Sequence, residues 1–217
     1  MIKQKVSGTV YGVVLNDHAS LRKIGDVLEA APYKGVPKAP AMYIKPANTR
    51  VACGAVVKLP QGAKTVEVGA TLGLVMGRAA SRLTRDNALD AVVGLVLVGD
   101  LSLPHGSYYR PAIREKCFDG SLPISSVQPL VDVAKLVLTT EIDGQVVEQR
   151  SLADLVRDPA QLLVDVSEFM TLAQGDVLLI GVSYMAPQAS AGSQVRISAD
   201  DVGSLQFSIA ATEGASS

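Results

Sequence analysis

Two apolar stretches in the middle of the sequence place the strongest constraint on the fold. Residues Lys64 to Gly77 alternate between polar and apolar side chains and then become fully apolar, as a strand does when it enters a buried sheet. Val93 to Val98 is apolar throughout and ends just before Asp100. The longest apolar run, Ala91 to Gly99, is too short to span a bilayer. These stretches therefore predict buried strands.

Strand signals also outnumber helix signals in the rest of the chain. Val6 to Leu15 is rich in β-branched residues, which favours a strand. Val133 to Gln149 predicts a hairpin whose tight turn is Asp143-Gly144. Further strands are predicted at Met42–Ile44, Asp176–Gly181, Gln194–Ser198 and Leu205–Ile209.

Short helices are predicted between the strands. Asn16 or Asp17 can cap one helix, and Asp158-Pro159 is typical of the start of another. A third is predicted over Asn87 to Val92. The helix after Asn16 and Asp17 has an apolar face of Leu21, Ile24 and Leu28. The helix after Asp158 has an apolar face of Leu162, Leu163, Val166 and Phe169. The sequence thus predicts one strand-rich α+β domain over residues 1–210, followed by a flexible tail at 211–217.

The charge balance excludes several classes of partner. Twenty basic and 21 acidic residues give a net charge of -1, which provides no general attraction to nucleic acid or to an anionic membrane.

The amino terminus lacks the apolar core of a signal peptide. Two cysteines do not make a disulfide framework. A cytoplasmic location is therefore expected.

Standard catalytic motifs are missing from the sequence. It contains no GxSxG, P-loop, dinucleotide fingerprint or HExxH. With only His18 and His105, a histidine-based metal cluster is nearly excluded.

Five longer blocks give a specific resemblance. They are LGLVMG (72–77), ALDAVVGLVLVGDLS (88–102), KCFDGSLPIS (116–125), EIDGQVVEQ (141–149) and LAQGDVLLIG (172–181). In order and spacing the chain resembles the fumarylacetoacetate-hydrolase-like family from about Tyr11 to Ile209. The resemblance implies a mixed β-sandwich, or β-roll, around an active site with a divalent metal, Mg or Mn.

The phrases YIKPANT (43–49) and SYYRPAIREKCFDG (107–120) narrow the resemblance to one branch. They are similar to the amino-terminal type of half-sequence in the isomerase/decarboxylases of 4-hydroxyphenylacetate degradation. The resemblance implies a small dicarboxylate or tricarboxylate 2-oxo acid as substrate. It also implies an oligomer with a homologous, metal-bearing subunit or with a second copy of this chain.

The resemblance also shows what this chain lacks. Gly69 and Thr71 stand where the family has two metal-binding glutamates, and of the three carboxylates only the aspartate remains, as Asp100. Glu67 lies on the same strand face as Gly69, one pleat repeat away. The family's His-x-x-Glu pair keeps His18 but has Leu21 in place of the glutamate. No metal ligand set is therefore predicted in this chain.

The remaining candidates are mainly cationic. Lys116 matches the family's active-site lysine, and with Asp100 it is the predicted catalytic pair. Lys45, Arg110, Arg114 and Tyr108 are predicted to bind substrate carboxylates. For Arg110 and Arg114 a solvated surface is the competing interpretation.

Two functional hypotheses follow. In the first, the chain is a catalytic subunit that acts on 2-hydroxyhepta-2,4-diene-1,7-dioate and on 5-oxopent-3-ene-1,2,5-tricarboxylate. In the second, it is a non-catalytic subunit that completes an oligomer with a metal-bearing partner. The pair Gly69 and Thr71 favours the second hypothesis for metal-dependent steps, whereas Lys116 favours a retained substrate site.

Overall fold

A computed structural model describes residues 6–106 and 112–212. The predicted residues Tyr108 and Arg110 lie outside these ranges. The helices are α1 (His18–Ile24), α2 (Ile113–Lys116) and α3 (Pro159–Ser167), and short 3₁₀ helices cover Gly25–Leu28, Ala47–Thr49, Leu89–Ala91, Val133–Lys135 and Leu152–Asp154. The strands are β1 (Val10–Val14), β2 (Ala41–Lys45), β3 (Arg50–Ala52), β4 (Val56–Lys58), β5 (Thr65–Met76), β6 (Val92–Ser102), β7 (Leu122–Ile124), β8 (Val137–Ile142), β9 (Gln145–Ser151), β10 (Val177–Leu179), β11 (Gln188–Ser190), β12 (Gln194–Ala199) and β13 (Gly203–Ala210).

Within the described ranges the strands form two sheets. The larger has eight strands in the order β2-β1-β10-β5-β6-β7-β3, with β11 also paired to β5. The smaller has five strands in the order β4-β13-β12-β8-β9. Strands β5 and β6 run antiparallel along almost their whole length and form the centre of the larger sheet.

The main core lies between the two sheets. Val68, Ala70 and Leu72 face it from β5, and Ile197 and Phe207 face it from the smaller sheet. Because side chains alternate along a strand, Glu67, Gly69 and Thr71 point to the opposite face of the larger sheet. The candidate site is built on that opposite face.

The predicted fold class is confirmed, and several elements agree with their sequence signals. Asp17 caps α1 by accepting a hydrogen bond from Ser20 N. Asp158 caps α3 by accepting one from Gln161 N. The hairpin of β8 and β9 turns at Asp143 and Gly144, which both have positive φ, as a tight hairpin turn requires.

Three local expectations need correction. Strand β6 continues to Ser102, so Asp100 lies within the strand instead of after it, because β5 supplies backbone partners along this length. The helix predicted over Asn87 to Val92 is reduced to the 3₁₀ turn Leu89–Ala91. Phe169 is 67% exposed because α3 ends at Ser167, before this side chain can join the apolar face.

No helix among residues 6–106 and 112–212 has the length and apolar character needed to cross a membrane.

Candidate active site

The candidate site is centred on the carboxylate of Asp100. In the register of β5 and β6, Asp100 lies directly opposite Gly69. Its side chain is fully buried and carries a charge on the sheet face that turns away from the main core. A buried carboxylate requires partners that compensate for the loss of water.

Two lysines supply this compensation. Lys45 Nζ lies 2.8 Å from Asp100 Oδ1, and Lys116 Nζ lies 3.1 Å from Asp100 Oδ2. Lys45 is completely enclosed and also donates to the carbonyl oxygens of Leu101, Lys116 and Ser121. Because acceptors within the protein take up its three N–H groups, Lys45 has a structural role here. Its predicted contact with substrate stays a prediction.

Tyr43 completes the cluster and was not predicted from the sequence. Its hydroxyl donates a short hydrogen bond to Asp100 Oδ2, and Lys116 Nζ lies 4.6 Å from the centre of its ring. The ring lies across Gly12, in the space that a Cβ at that position would occupy. Tyr43 and Lys45 are two residues apart on β2 and therefore point to the same side. This i, i+2 spacing in YIKP was the available signal. We call Tyr43, Lys45, Asp100 and Lys116 the Asp100 cluster.

The lysines determine the ionisation of Asp100. Burial raises the pKa of its carboxyl, but Lys116 and Lys45 oppose this effect and bring the pKa down to about 2. Burial lowers the pKa of Lys45, and Asp100 partly restores it. Asp100 is thus a carboxylate throughout the physiological range and a poor acceptor for a proton.

A pH dependence of stability follows from this depressed pKa. An unfolded aspartate titrates near pH 3.9. Because the folded pKa is lower, the stabilisation is complete above the unfolded pKa and is lost as the pH falls through about 2. We expect the free energy of unfolding, measured with urea, to decrease over this interval. The decrease should be smaller in Asp100→Asn and unchanged in Asp90→Asn, which alters an exposed aspartate. Equal slopes in wild type and Asp100→Asn would contradict the prediction.

A second buried ion pair lies beside the cluster. β10 pairs with Gly73–Val75 of β5, and β11 pairs with Thr65–Glu67, so among the described strands Ala70 has no strand partner on this side. Arg150 from β9 reaches this gap, and its Nη2 donates to Ala70 O at 3.2 Å and Gly181 O at 2.9 Å. Arg150 Nη1 lies 3.8 Å from Oδ2 of Asp17, the residue that caps α1.

The family's metal does not fit the residues on this face. An added Cβ at Gly69 would lie 2.8 Å from Asp100 O and 2.9 Å from Val182 Cγ1, so Val182 occupies the space of the first glutamate. Thr71 is fully buried and donates its hydroxyl to Leu72 O at 3.3 Å. In the described part of the chain no three His, Cys, Asp or Glu side chains gather to hold a metal.

The other predicted residues are dispersed. Arg114 is exposed and lines a separate groove of about 430 Å³ with Lys64 and Glu115. His18 is exposed on α1. Of the six predicted site residues, the structure brings Lys45, Asp100 and Lys116 together.

A cavity of about 400 Å³ adjoins β1 and β2 on the sheet face that also carries Tyr43. Ala41 lines it, and on β2 this residue is one pleat repeat, roughly 6–7 Å, from Tyr43. Lys34 and Lys38 contribute two further cations. The remaining lining residues are Val14, Leu15, Tyr33, Gly35, Val36 and Pro37.

Two packed sheets with a charged cluster on the outer face of the larger one give the β-roll architecture that the sequence predicts. Fumarylpyruvate hydrolase of Pseudomonas aeruginosa, solved with Mn²⁺ and pyruvate, superimposes with a TM-score of 0.79 at 21% identity, over 94% of this chain and 90% of that one. A 5-carboxymethyl-2-hydroxymuconate delta-isomerase of Mycobacterium smegmatis gives 0.81 at 24% identity, over 96% and 81%. At these identities the likeness establishes the fold.

Sequence comparison identifies the family. The model for the fumarylacetoacetate (FAA) hydrolase C-terminal domain matches residues 9–210, so the chain belongs to the fumarylacetoacetate hydrolase family. The 4-hydroxyphenylacetate degradation bifunctional isomerase/decarboxylase of Escherichia coli is 38% identical over 195 residues, which are 90% of this chain and 45% of that protein. The protein of the same name from Salmonella dublin is 38% identical over 96% and 48%. The chain thus spans about half the length of these curated relatives.

Proposed function

We propose that this chain is a subunit of an isomerase/decarboxylase that acts on 2-hydroxyhepta-2,4-diene-1,7-dioate and on 5-oxopent-3-ene-1,2,5-tricarboxylate. The observation that carries the proposal is the position of the Lys116 ammonium group. It is held by Asp100 at 3.1 Å, and Asp100 is its one hydrogen-bond acceptor among the described residues. Its remaining N–H groups meet no acceptor within residues 6–106 and 112–212, and we propose that they bind a substrate anion.

The charges of the cluster favour an anionic ligand. Lys45 and Lys116 each contribute one positive charge, and Asp100 contributes one negative charge. Arg150 and Asp17 balance each other nearby. Together these five groups carry one excess positive charge, which a substrate carboxylate or enolate would neutralise.

The chemistry of both reactions suits such a cation. Loss of carbon dioxide from the tricarboxylate leaves an enolate, and isomerisation of the dienol passes through the same kind of anion. A fixed ammonium group in a site shielded from water stabilises charge that develops on the enolate oxygen. The cavity of about 400 Å³ beside β2 has the size of a small-molecule site, and Lys34 and Lys38 are placed to attract the remote carboxylate.

We further propose that a homologous subunit provides the divalent metal, Mg or Mn. Since the chain spans about half of its curated relatives, a second unit of similar length would complete the enzyme. The partner is either this homologous subunit or, for assembly alone, a second copy of this chain. The exposed Arg114 and the undescribed Arg110 and Tyr108 stay predicted contacts of substrate.

The variant Lys116→Met tests the proposal. A charge-assisted hydrogen bond to a buried anion contributes about 1.5–3 kcal/mol, so its loss should reduce turnover by roughly tenfold to a hundredfold. Turnover would be followed by loss of the diene absorbance, in the assembled complex and with this chain alone. In parallel, titration with heptanedioate, a saturated dicarboxylate of the same length, measures binding by the isolated chain. Lys135→Met, which alters a lysine that is 82% exposed, is the matched control.

The alternative is a non-catalytic subunit that completes the oligomer. Gly69 offers no metal ligand and Val182 occupies the space of the first glutamate, and both facts favour this alternative for any metal-dependent step. If Lys116→Met leaves both turnover and heptanedioate binding unchanged, the catalytic proposal fails and the structural role replaces it.

A further inference from the structure

Isomerisation requires a group that moves a proton, and neither Asp100 nor Lys45 is suited to this role. Asp100 stays ionised, and the N–H groups of Lys45 are committed to internal acceptors. The family's histidine–glutamate pair is broken, since Leu21 replaces the glutamate and His18 is exposed. The inference that follows rests on the proposed function, under which another side chain on this sheet face must exchange a proton with the substrate.

Glu67 is placed for this role by the register of β5 and β6. Glu67 lies opposite Ser102, and Gly69 lies opposite Asp100, so Glu67 is the diagonal neighbour of Asp100 on one sheet face. Diagonal neighbours across an antiparallel pair have Cα atoms about 7–8 Å apart, within reach of long side chains. Since Gly69 has no side chain, no β5 side chain separates Glu67 from the cluster.

The surroundings of Glu67 leave its carboxyl accessible. Its strand neighbours are Ser102 on β6 and Gln188 on β11, which carry no charge. The residue is partly buried, whereas Asp100 is fully enclosed. A substrate held by Lys116 would therefore meet Glu67 at the more open end of the same face.

Two cations act on Glu67 from neighbouring elements. Lys116 faces it from α2 and Lys23 from α1, and the Lys23 ammonium already donates to Tyr184 O and Met185 O. Burial raises the pKa of the Glu67 carboxyl, and both lysines oppose this effect without cancelling it. On the loop after β6, burial and Lys116 lower the pKa of His105.

We propose that Glu67 is the catalytic acid of the isomerisation. Protonated Glu67 gives its proton to C5 of the dienol. The double bonds shift toward the oxygen-bearing carbon, and the enol O–H bond breaks to form the ketone. The hydroxyl proton returns through water to the Glu67 carboxylate, so atoms and charge balance. The hydroxyl proton leaves to water ahead of the transfer to C5, so negative charge develops on the oxygen, where Lys116 stabilises it.

The test compares Glu67→Gln with wild type in the assembled complex, with 2-hydroxyhepta-2,4-dienedioate as substrate. General acid catalysis contributes about a hundredfold or more, so kcat should fall by at least about a hundredfold, with KM changed less than about twofold. Because the protonated form is active, wild-type kcat should decrease as the pH rises through the pKa of Glu67, and Glu67→Gln should lose this limb. Glu67→Asp should restore part of the rate.

Control variants separate this inference from the proposed function. Glu141→Gln, which alters a partly buried glutamate on β8, should keep wild-type kinetics. Retained heptanedioate binding and an unchanged thermal midpoint would show that Glu67→Gln is folded. If the wild-type complex does not isomerise the dienol, the proposed function fails. If wild type is active and Glu67→Gln keeps its rate and pH limb, or His105→Asn carries the loss instead, the assignment of Glu67 is overturned.

Discussion

Lys45→Met is expected to lower the free energy of unfolding by about 3–5 kcal/mol, the usual cost of removing one partner of a buried ion pair. Lys45 lies 2.8 Å from Asp100 Oδ1 and is wholly enclosed. Its loss leaves the Asp100 carboxylate with Lys116 and Tyr43, and it removes the donor shared by Leu101 O and Ser121 O. Urea unfolding at neutral pH, followed by circular dichroism, measures the change.

A matched substitution and a double variant make this prediction specific. Lys135→Met removes a lysine whose side chain is 82% exposed in its pair with Asp132, so it should cost less than about 1 kcal/mol. Adding Asp100→Asn to Lys45→Met removes the uncompensated charge. The double variant should therefore be more stable than the sum of the two single changes implies, by about 1 kcal/mol or more. A loss below about 1 kcal/mol in Lys45→Met would show that the ion pair is not buried as described.

Gly69→Glu, which restores the family's residue, is expected to destabilise the chain by roughly 3 kcal/mol or more instead of creating a metal site. Any Cβ here lies 2.8 Å from the backbone oxygen of Asp100 and 2.9 Å from Val182 Cγ1. Gly69→Ala contains this collision alone and should cost about 1–3 kcal/mol. The longer side chain adds the desolvation of a carboxylate.

Chemical denaturation and calorimetry test this expectation. Gly106→Ala is the matched control, because an added Cβ at Gly106 meets no atom of the described residues within 4 Å. Titration of Gly69→Glu with manganese should show no stoichiometric site of micromolar affinity, near -8 kcal/mol. Manganese binding by a stably folded Gly69→Glu would contradict the conclusion that Val182 and the β6 backbone have closed this position.

Most of the fold could be predicted from local signals. Asp17 and Asp158 cap helices where their side chains suggested, and Asp143-Gly144 turns the hairpin, because each signal acts within three residues of its effect. The short strands β3, β4, β7 and β11 were not predicted. At three residues each they carry no periodicity, and pairing with distant segments stabilises them.

The site was only partly predictable, for a related reason. Asp100 and Lys116 could be named from sequence blocks, but the internal role of Lys45 depends on carbonyl groups far along the chain. Tyr43 reaches Asp100 because Gly12, on another strand, leaves room for its ring. Arg150 had no motif at all. Contacts of this kind arise when β1, β2, β5 and β6 come together, and a linear pattern does not record them.

The contacts of Arg150 with three regions of the chain have a consequence for how the protein unfolds. Its backbone belongs to the smaller sheet, its hydrogen-bond acceptors lie on β5 and after β10, and its charge partner begins α1. Separating the smaller sheet from the larger would leave two buried carbonyl oxygens and the carboxylate of Asp17 without their partner. Partial openings of the two sheets are therefore strongly disfavoured. The backbone amides of β9, the middle of β5 and the start of α1 should exchange with deuterium as one cooperative unit, at the free energy of global unfolding.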